Sequence, residues 1–143
     1  MGAIISLGVL LAAIGLTLTA IIRSAAEDND GPRRLTVNGT FQQGFEVSWF
    51  VPCDGGGQFN RGWVAGGDQR FFDRYDQLRR EAGGDARMGP VVYAVIDADV
   101  TTRLPPGQRG FGHLAQGDAE LVVVRMQMMR LGECPAPTPM AGY

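Results

Sequence analysis

Residues 4–22 constrain this chain more than any other stretch. The run Ile4 to Ile22 carries no charged side chain, and its only polar ones are Ser6, Thr17 and Thr19. At about 1.5 Å per residue, a helix of this length comes close to spanning a hydrocarbon core. The run therefore predicts a transmembrane anchor over residues 1–23. A cleaved signal peptide wants a positive n-region, a shorter apolar stretch and a small-residue cleavage site. Here no Arg precedes the run, Ser24-Ala25-Ala26 is a poor cleavage site, and no lipobox cysteine is present. An uncleaved, single-pass anchor is the expectation.

Gly8, Ala12, Gly15 and Thr19 recur within that run at spacings of four, three and four. Such spacing places small residues along one helix face, where a neighbouring helix in lipid can approach closely. The simpler alternative is that Gly and Ala are common in membrane spans. Arg23, Arg33 and Arg34 follow the run, and a positive-inside count would leave the remaining chain in the cytoplasm. The cysteines argue the other way.

Cys53 and Cys134 are the two cysteines, with neither a CxxC spacing nor a nearby histidine. A structural zinc site needs about four ligands, so no metal is expected. A disulfide is expected if the domain is exported; the alternative is a pair of buried free thiols. Export to the periplasmic side of a bacterial inner membrane is the reading adopted.

Residues 24–34 form a polar linker, with Glu27-Asp28-Asn29-Asp30-Gly31-Pro32 as turn and coil chemistry. Extended patterning starts at Leu35. Val37, Gly39 and Phe41, then Phe45, Val47, Trp49 and Val51, alternate with mainly polar residues. The pattern predicts one long strand with a bulge or bend near Gln43-Gly44. Gly62-Trp63-Val64-Ala65 is a short strand. Asp68 then caps a helix through Phe71, Tyr75, Leu78 and Ala82, which Gly83-Gly84 stops. Its other face, with Arg70, Asp73, Arg74, Asp76, Arg79 and Arg80, reads as solvated.

Val91 to Val100 is a strand with Asp97 and Asp99 on one face, read as outward polar residues rather than an acid–base pair. Gly110 to Leu114 reads as a glycine-rich short strand. Ala119 to Leu131 closes the domain as a long strand, and residues 135–143 form a proline-rich tail. The predicted core is Phe41, Val47, Val95, Val122, Val124 and Met126, with the Phe71/Tyr75/Leu78 helix against it. With 21 glycines and 8 prolines, tight turns between short strands suit the chain better than a helical bundle. The fold class is mainly β: a transmembrane helix, then over residues 35–134 a small OB-like antiparallel β-barrel with one helix.

Gly39-Thr40-Phe41, Gly44-Phe45-Glu46-Val47-Ser48, Phe50-x-Pro52-Cys53, the Trp63 strand, the Tyr75 helix, Val92-Tyr93-Ala94-Val95, Gly110-Phe111-Gly112-His113-Leu114 and Glu133-Cys134 run in a recurring order. That order resembles a group of bacterial envelope proteins similar to the OB-like domain of NlpE-type lipoproteins. The resemblance covers about residues 37–134. It implies the barrel and an envelope location, and is nearly silent about activity. Two departures stand out. A spanning segment replaces the lipobox, and the helix is read between the second and third strands, where an ordinary OB fold has it between the third and fourth.

A net charge of -2 gives no basic field for nucleic acid. The single histidine, His113, sits among glycines, with no Ser or Cys nucleophile obviously paired with it. No enzyme activity, cofactor or small-molecule substrate is expected. The leading expectation is an accessory subunit bracing a membrane complex, respiratory or photosynthetic for instance. Its partners would be integral membrane subunits and the bilayer. The anchor would pack through Gly8, Ala12, Gly15 and Thr19, and the exported domain would dock through exposed groups near Phe59 and Trp63. The alternative is a free-standing envelope sensor or ligand-binding module.

Overall fold

In a computed structural model the chain divides into two compact units, Met1–Gly31 and Pro32–Tyr143. The structure describes residues 31–55, 57–84 and 87–137. The expected anchor with its Gly8, Ala12, Gly15 and Thr19 spacing, most of the expected linker and the end of the tail lie outside the described residues. Among those described, no helix is long and apolar enough to cross a membrane.

Five strands and one helix build the second unit: β1 (Arg33–Gly44), β2 (Val47–Pro52), β3 (Gly62–Gly67), α1 (Gln69–Ala82), β4 (Val92–Thr101) and β5 (Ala119–Leu131). The strands close into a barrel in the order β1-β2-β3-β5-β4. β3 and β5 pair in parallel, so the barrel is not wholly antiparallel; the other four pairings are.

The single bent strand expected from Leu35 to Val51 is two strands. β1 reverses through Phe45-Glu46 and pairs with β2 from Gly44↔Val47 to Gly39↔Pro52. Apolar alternation runs through the reversal, which hides it from a period-two reading. The usual Asn-Gly or Asp-Gly signature is also missing: Glu46 takes the left-handed conformation itself, at φ 61°. This split moves the helix, which now lies between the third and fourth strands. Gly110–Leu114 is not a strand. Those residues make a turn closed by one bridge, Phe111↔Gly117. Arg33 and Arg34, read as linker, begin β1, where Arg34 holds Asp99 through two hydrogen bonds of 2.9 and 3.0 Å.

The helix follows the expected code closely. The Asp68 side chain accepts from the Arg70 amide, and Gly83 ends the helix at φ 63°. Phe71, Tyr75 and Leu78 are its buried residues. Phe71 and Tyr75 each meet Phe41 edge-on at 4.9 Å. The Tyr75 hydroxyl accepts from the Gln43 amide at 2.9 Å and reaches the Pro90 carbonyl at 3.0 Å, so the buried phenol is satisfied. Burial raises its pKa above the ordinary tyrosine value.

The expected core is corrected by register. Phe41 is fully buried, but Val47 and Val95 are only half-buried, Met126 packs on the core from the side, and Val122 and Val124 are exposed at 41% and 37%. The inward residues of β5 are Ala119, Leu121, Val123 and Met129. On β5 the register decides this: Leu121 lies opposite Val100 and Val123 opposite Ala98, both inward residues of β4. The β4–β5 pairing slips between Val95/Ile96 and again between Asp97/Ala98, and each bulge adds a residue to β5. Both faces of Leu121–Val124 are apolar, so alternation could not choose between them.

Candidate functional site

Phe59, expected at the surface, is 4% exposed and belongs to the core. The loop from Cys53 to Arg61 turns it inward. Gly62 has no Cβ, and Leu121 and Phe59 fill the space one would take. Trp63 is half-buried on the outer side of β3. It pairs directly with Trp49 of β2, the rings edge-to-face at 5.2 Å. Only one further residue pair, Phe50↔Gly62, joins these two strands. On the other side of the tryptophan pair the buried Ser48 hydroxyl donates to the Val64 carbonyl at 2.9 Å, a side-chain bridge where the backbone ladder has ended.

Around the tryptophans the barrel surface forms a cleft lined by Thr40, Gln42, Trp49, Val51, Arg61 and Val91. The Arg61 guanidinium stands over Trp49 at 5.4 Å. The Arg61 backbone is held by Asp118, whose carboxylate accepts from the Arg61 and Asn60 amides, each at 2.9 Å. Burial works against the charge on Asp118, but those amides outweigh it and hold its pKa below the ordinary aspartate value.

The β4–β5 loop closes over one side. Gly112, at φ 82°, lies so close to the Trp63 ring that a Cβ there would strike it, and Gly117 lies beside Trp49. This close approach explains the glycine run that reads as a strand in the sequence. The same loop brings His113 Nε2 to 3.4 Å from Glu46 of the β1–β2 turn. Phe45 and Leu114 stand beside that contact, 79% and 55% exposed. The sequence pointed to Trp63 but not to Trp49, Arg61, Phe45 or Leu114. Trp49 reads only as one more alternating residue until β1 and β2 are separated.

Cys53 and Cys134 are bonded, with Cα atoms 5.6 Å apart. The strands they follow are not neighbours in the barrel. β2 and β5 are separated by β3 on one side and by β1 and β4 on the other. The Gly132 amide donates to the Val91 carbonyl at 3.0 Å, and two residues later the chain reaches Cys53. Tyr93, outward by register, is only 8% exposed, with the Arg130 guanidinium 4.8 Å from its ring centre.

Asp97 and Asp99 sit outward on β4, inside an ion-pair network. Asp97 accepts from Thr36 at 2.6 Å, Gln127 at 2.8 Å and Arg125 at 2.9 Å. These bonds, with Thr36 foremost, lower its pKa, as the Arg34 hydrogen bond does for Asp99. A carboxylate with a depressed folded pKa stabilises the fold above its unfolded value, and that contribution disappears as pH falls through the folded pKa. Stability should therefore decline below about pH 4, where free aspartate titrates. Urea midpoints measured across the acid range should fall, and Asp118→Asn should flatten the fall.

A second hollow, bounded by Leu35, Val37, Pro52, Asp54, Gln58 and Phe59, lies under the β2–β3 loop. Asp54 is its only ionisable residue among those described. No group of three or more His, Cys, Asp or Glu among the described residues could hold a metal ion. No family model, curated protein or solved structure matches the chain.

Proposed function

We propose that this protein is a non-catalytic accessory subunit of a bacterial membrane complex. Its apolar N-terminal segment anchors it, and its OB-like barrel docks an integral membrane partner on the periplasmic side. The OB reading is supported by the strand order β1-β2-β3-β5-β4 and by the helix between the third and fourth strands. The disulfide supports an oxidising compartment.

The observation that carries the docking role is the outer-face pair Trp49 and Trp63 with Arg61 over Trp49, together with the exposed Phe45 and Leu114, each next in sequence to a residue of the Glu46–His113 contact. Aromatic residues and arginine dominate protein interfaces, and large exposed apolar groups gathered on one face mark interaction sites. Wild-type protein extracted from its native membrane in mild detergent should bring its partner subunits with it. Phe45→Asp with Leu114→Asp changes two exposed side chains that the barrel does not need. It should lower that recovery about tenfold, the effect of losing one good interface contact. Unchanged recovery would remove the docking face. Wild-type protein extracting alone would point to the second reading, a ligand-binding envelope module. That reading is favoured by the mixed polar and aromatic lining of the cleft, with Thr40, Gln42 and Arg61 beside Trp49.

A further inference from the structure

The cleft beside Trp49 holds one cation and no acid. We infer that it binds a small organic carboxylate, one negative charge on a compact apolar body. The inference rests on the ligand-binding reading of the cleft given above and names the class of ligand.

Strand pairing sets out the binding groups in rows. Thr40 pairs with Val51, and Gln42 pairs with Trp49. Phe50 pairs with Gly62, which puts Arg61 level with Val51. Thr40 and Arg61 therefore flank Val51, their backbones about 10 Å apart, two strand spacings. A small ligand resting on Val51 and Trp49 can touch both.

Arg61 is the only charged residue among the described ones that line the cleft. Its guanidinium lies 5.4 Å from the Trp49 ring centre and makes no ion pair among the described residues. Asp118 does not pair with it: that carboxylate is taken by the Asn60 and Arg61 amides and by the Asn60 side chain. An arginine held against a ring keeps its fork of N–H donors, which grips a carboxylate through two parallel bonds. The Thr40 hydroxyl is a further donor without a partner among the described residues. One cation matches one negative charge, whereas a phosphate, which carries up to about two, would keep charge unmatched.

The rest of the site is apolar and preformed. Trp49, Val51 and Val91 supply the apolar lining. The Val91 carbonyl accepts from the Gly132 amide at 3.0 Å, and the Gln42 side chain donates to the Gly89 carbonyl at 3.0 Å. Both flanks are thus fixed before a ligand arrives, which lowers the cost of binding. The cleft has a volume of about 240 Å³. Drug-sized ligands take roughly 300–1,000 Å³, so the body is a single ring or a short branched chain.

The test uses an intrinsic probe, because the chain's 2 tryptophans are Trp49 and Trp63. Full-length protein in a neutral detergent is titrated with cyclohexanecarboxylate, which does not absorb where tryptophan does, and with cyclohexanecarboxamide, its uncharged counterpart. The acid should change tryptophan emission saturably, half-complete at about millimolar concentration, as suits so small a ligand. The amide should bind about tenfold more weakly, having lost a charge-assisted bond. Arg61→Gln should weaken binding of the acid about tenfold, and Arg61→Lys less, because the ammonium keeps the charge without the fork. Thr40→Val keeps the shape and should weaken it about threefold; it carries the test if Arg61→Gln disturbs the Trp49 ring. Equal binding of acid and amide, or an acid titration that none of the variants alters, overturns the inference. So does the absence of a saturable change up to about tenfold above the expected midpoint, or tighter binding of inorganic phosphate than of the acid. Partner recovery is read separately. Acid binding by protein that extracts alone supports the inference and removes the docking role. Partner recovery without acid binding removes the inference and leaves the docking role standing.

Discussion

Replacing Cys53 and Cys134 together with serine is expected to lower stability by about 4–5 kcal/mol in the chain-entropy model, a large share of what a small domain has. The two cysteines are 81 residues apart in sequence, so the bridge closes β3, α1, β4 and β5 into one loop. Its effect falls mainly on the unfolded chain, which without the bond explores far more conformations. A smaller effect falls on the folded state, because the segment held by the bridge follows Arg130, which stacks on Tyr93. Urea unfolding of the double variant and of reduced wild type should give the same lowered midpoint. The slope of free energy against urea should steepen, because an uncrosslinked unfolded state exposes more surface. A loss below about 1 kcal/mol would mean that the loop is already restrained without the bond. Two free thiols in native material would remove the bridge and with it the main argument for export.

Phe41→Ala is the second large effect. Phe41 is fully buried and meets Phe71 and Tyr75 edge-on, so it joins the barrel interior to the helix. Truncation should cost about 3–5 kcal/mol through lost transfer energy and the cavity left behind. The neighbouring Tyr75–Gln43 hydrogen bonds tie the helix to the end of β1, and loosening the ring contact exposes them to water. A control on the same sheet tests the register of β5. Val123→Ala removes buried methyls and should cost about 2 kcal/mol. Val124→Ala, on an exposed side chain, should stay within about 0.5 kcal/mol. Equal effects for the two valines would contradict the bulged pairing.

Local physics made several elements legible from the sequence. The helix from Asp68 to Gly83 carries its cap, its apolar period and its glycine stop within one stretch, and no distant contact is needed to define it. The β5 boundaries, Ala119 to Leu131, were equally plain, because Gly117-Asp118 and Gly132 bound a run that holds three valines. The pairing of Cys53 with Cys134 followed from there being only two cysteines, not from the strands they follow. What the tertiary structure alone decided depends on contacts between distant residues. The reversal at Phe45-Glu46 leaves no glycine signature, and only the β1–β2 pairing reveals it. The inward face of β5 was hidden because Leu121 through Val124 are all apolar, and pairing with the buried Val100 and Ala98 of β4 selects Leu121 and Val123. Phe59 lies in a polar loop and turns inward because Gly62 leaves it room beside Leu121. The aromatic face joins Trp49 from β2, Trp63 from β3, Gly112 against the Trp63 ring and Arg61 over Trp49, its backbone held by Asp118. No local pattern joins these four, because a closed barrel sets its neighbours by strand order, not by distance along the chain.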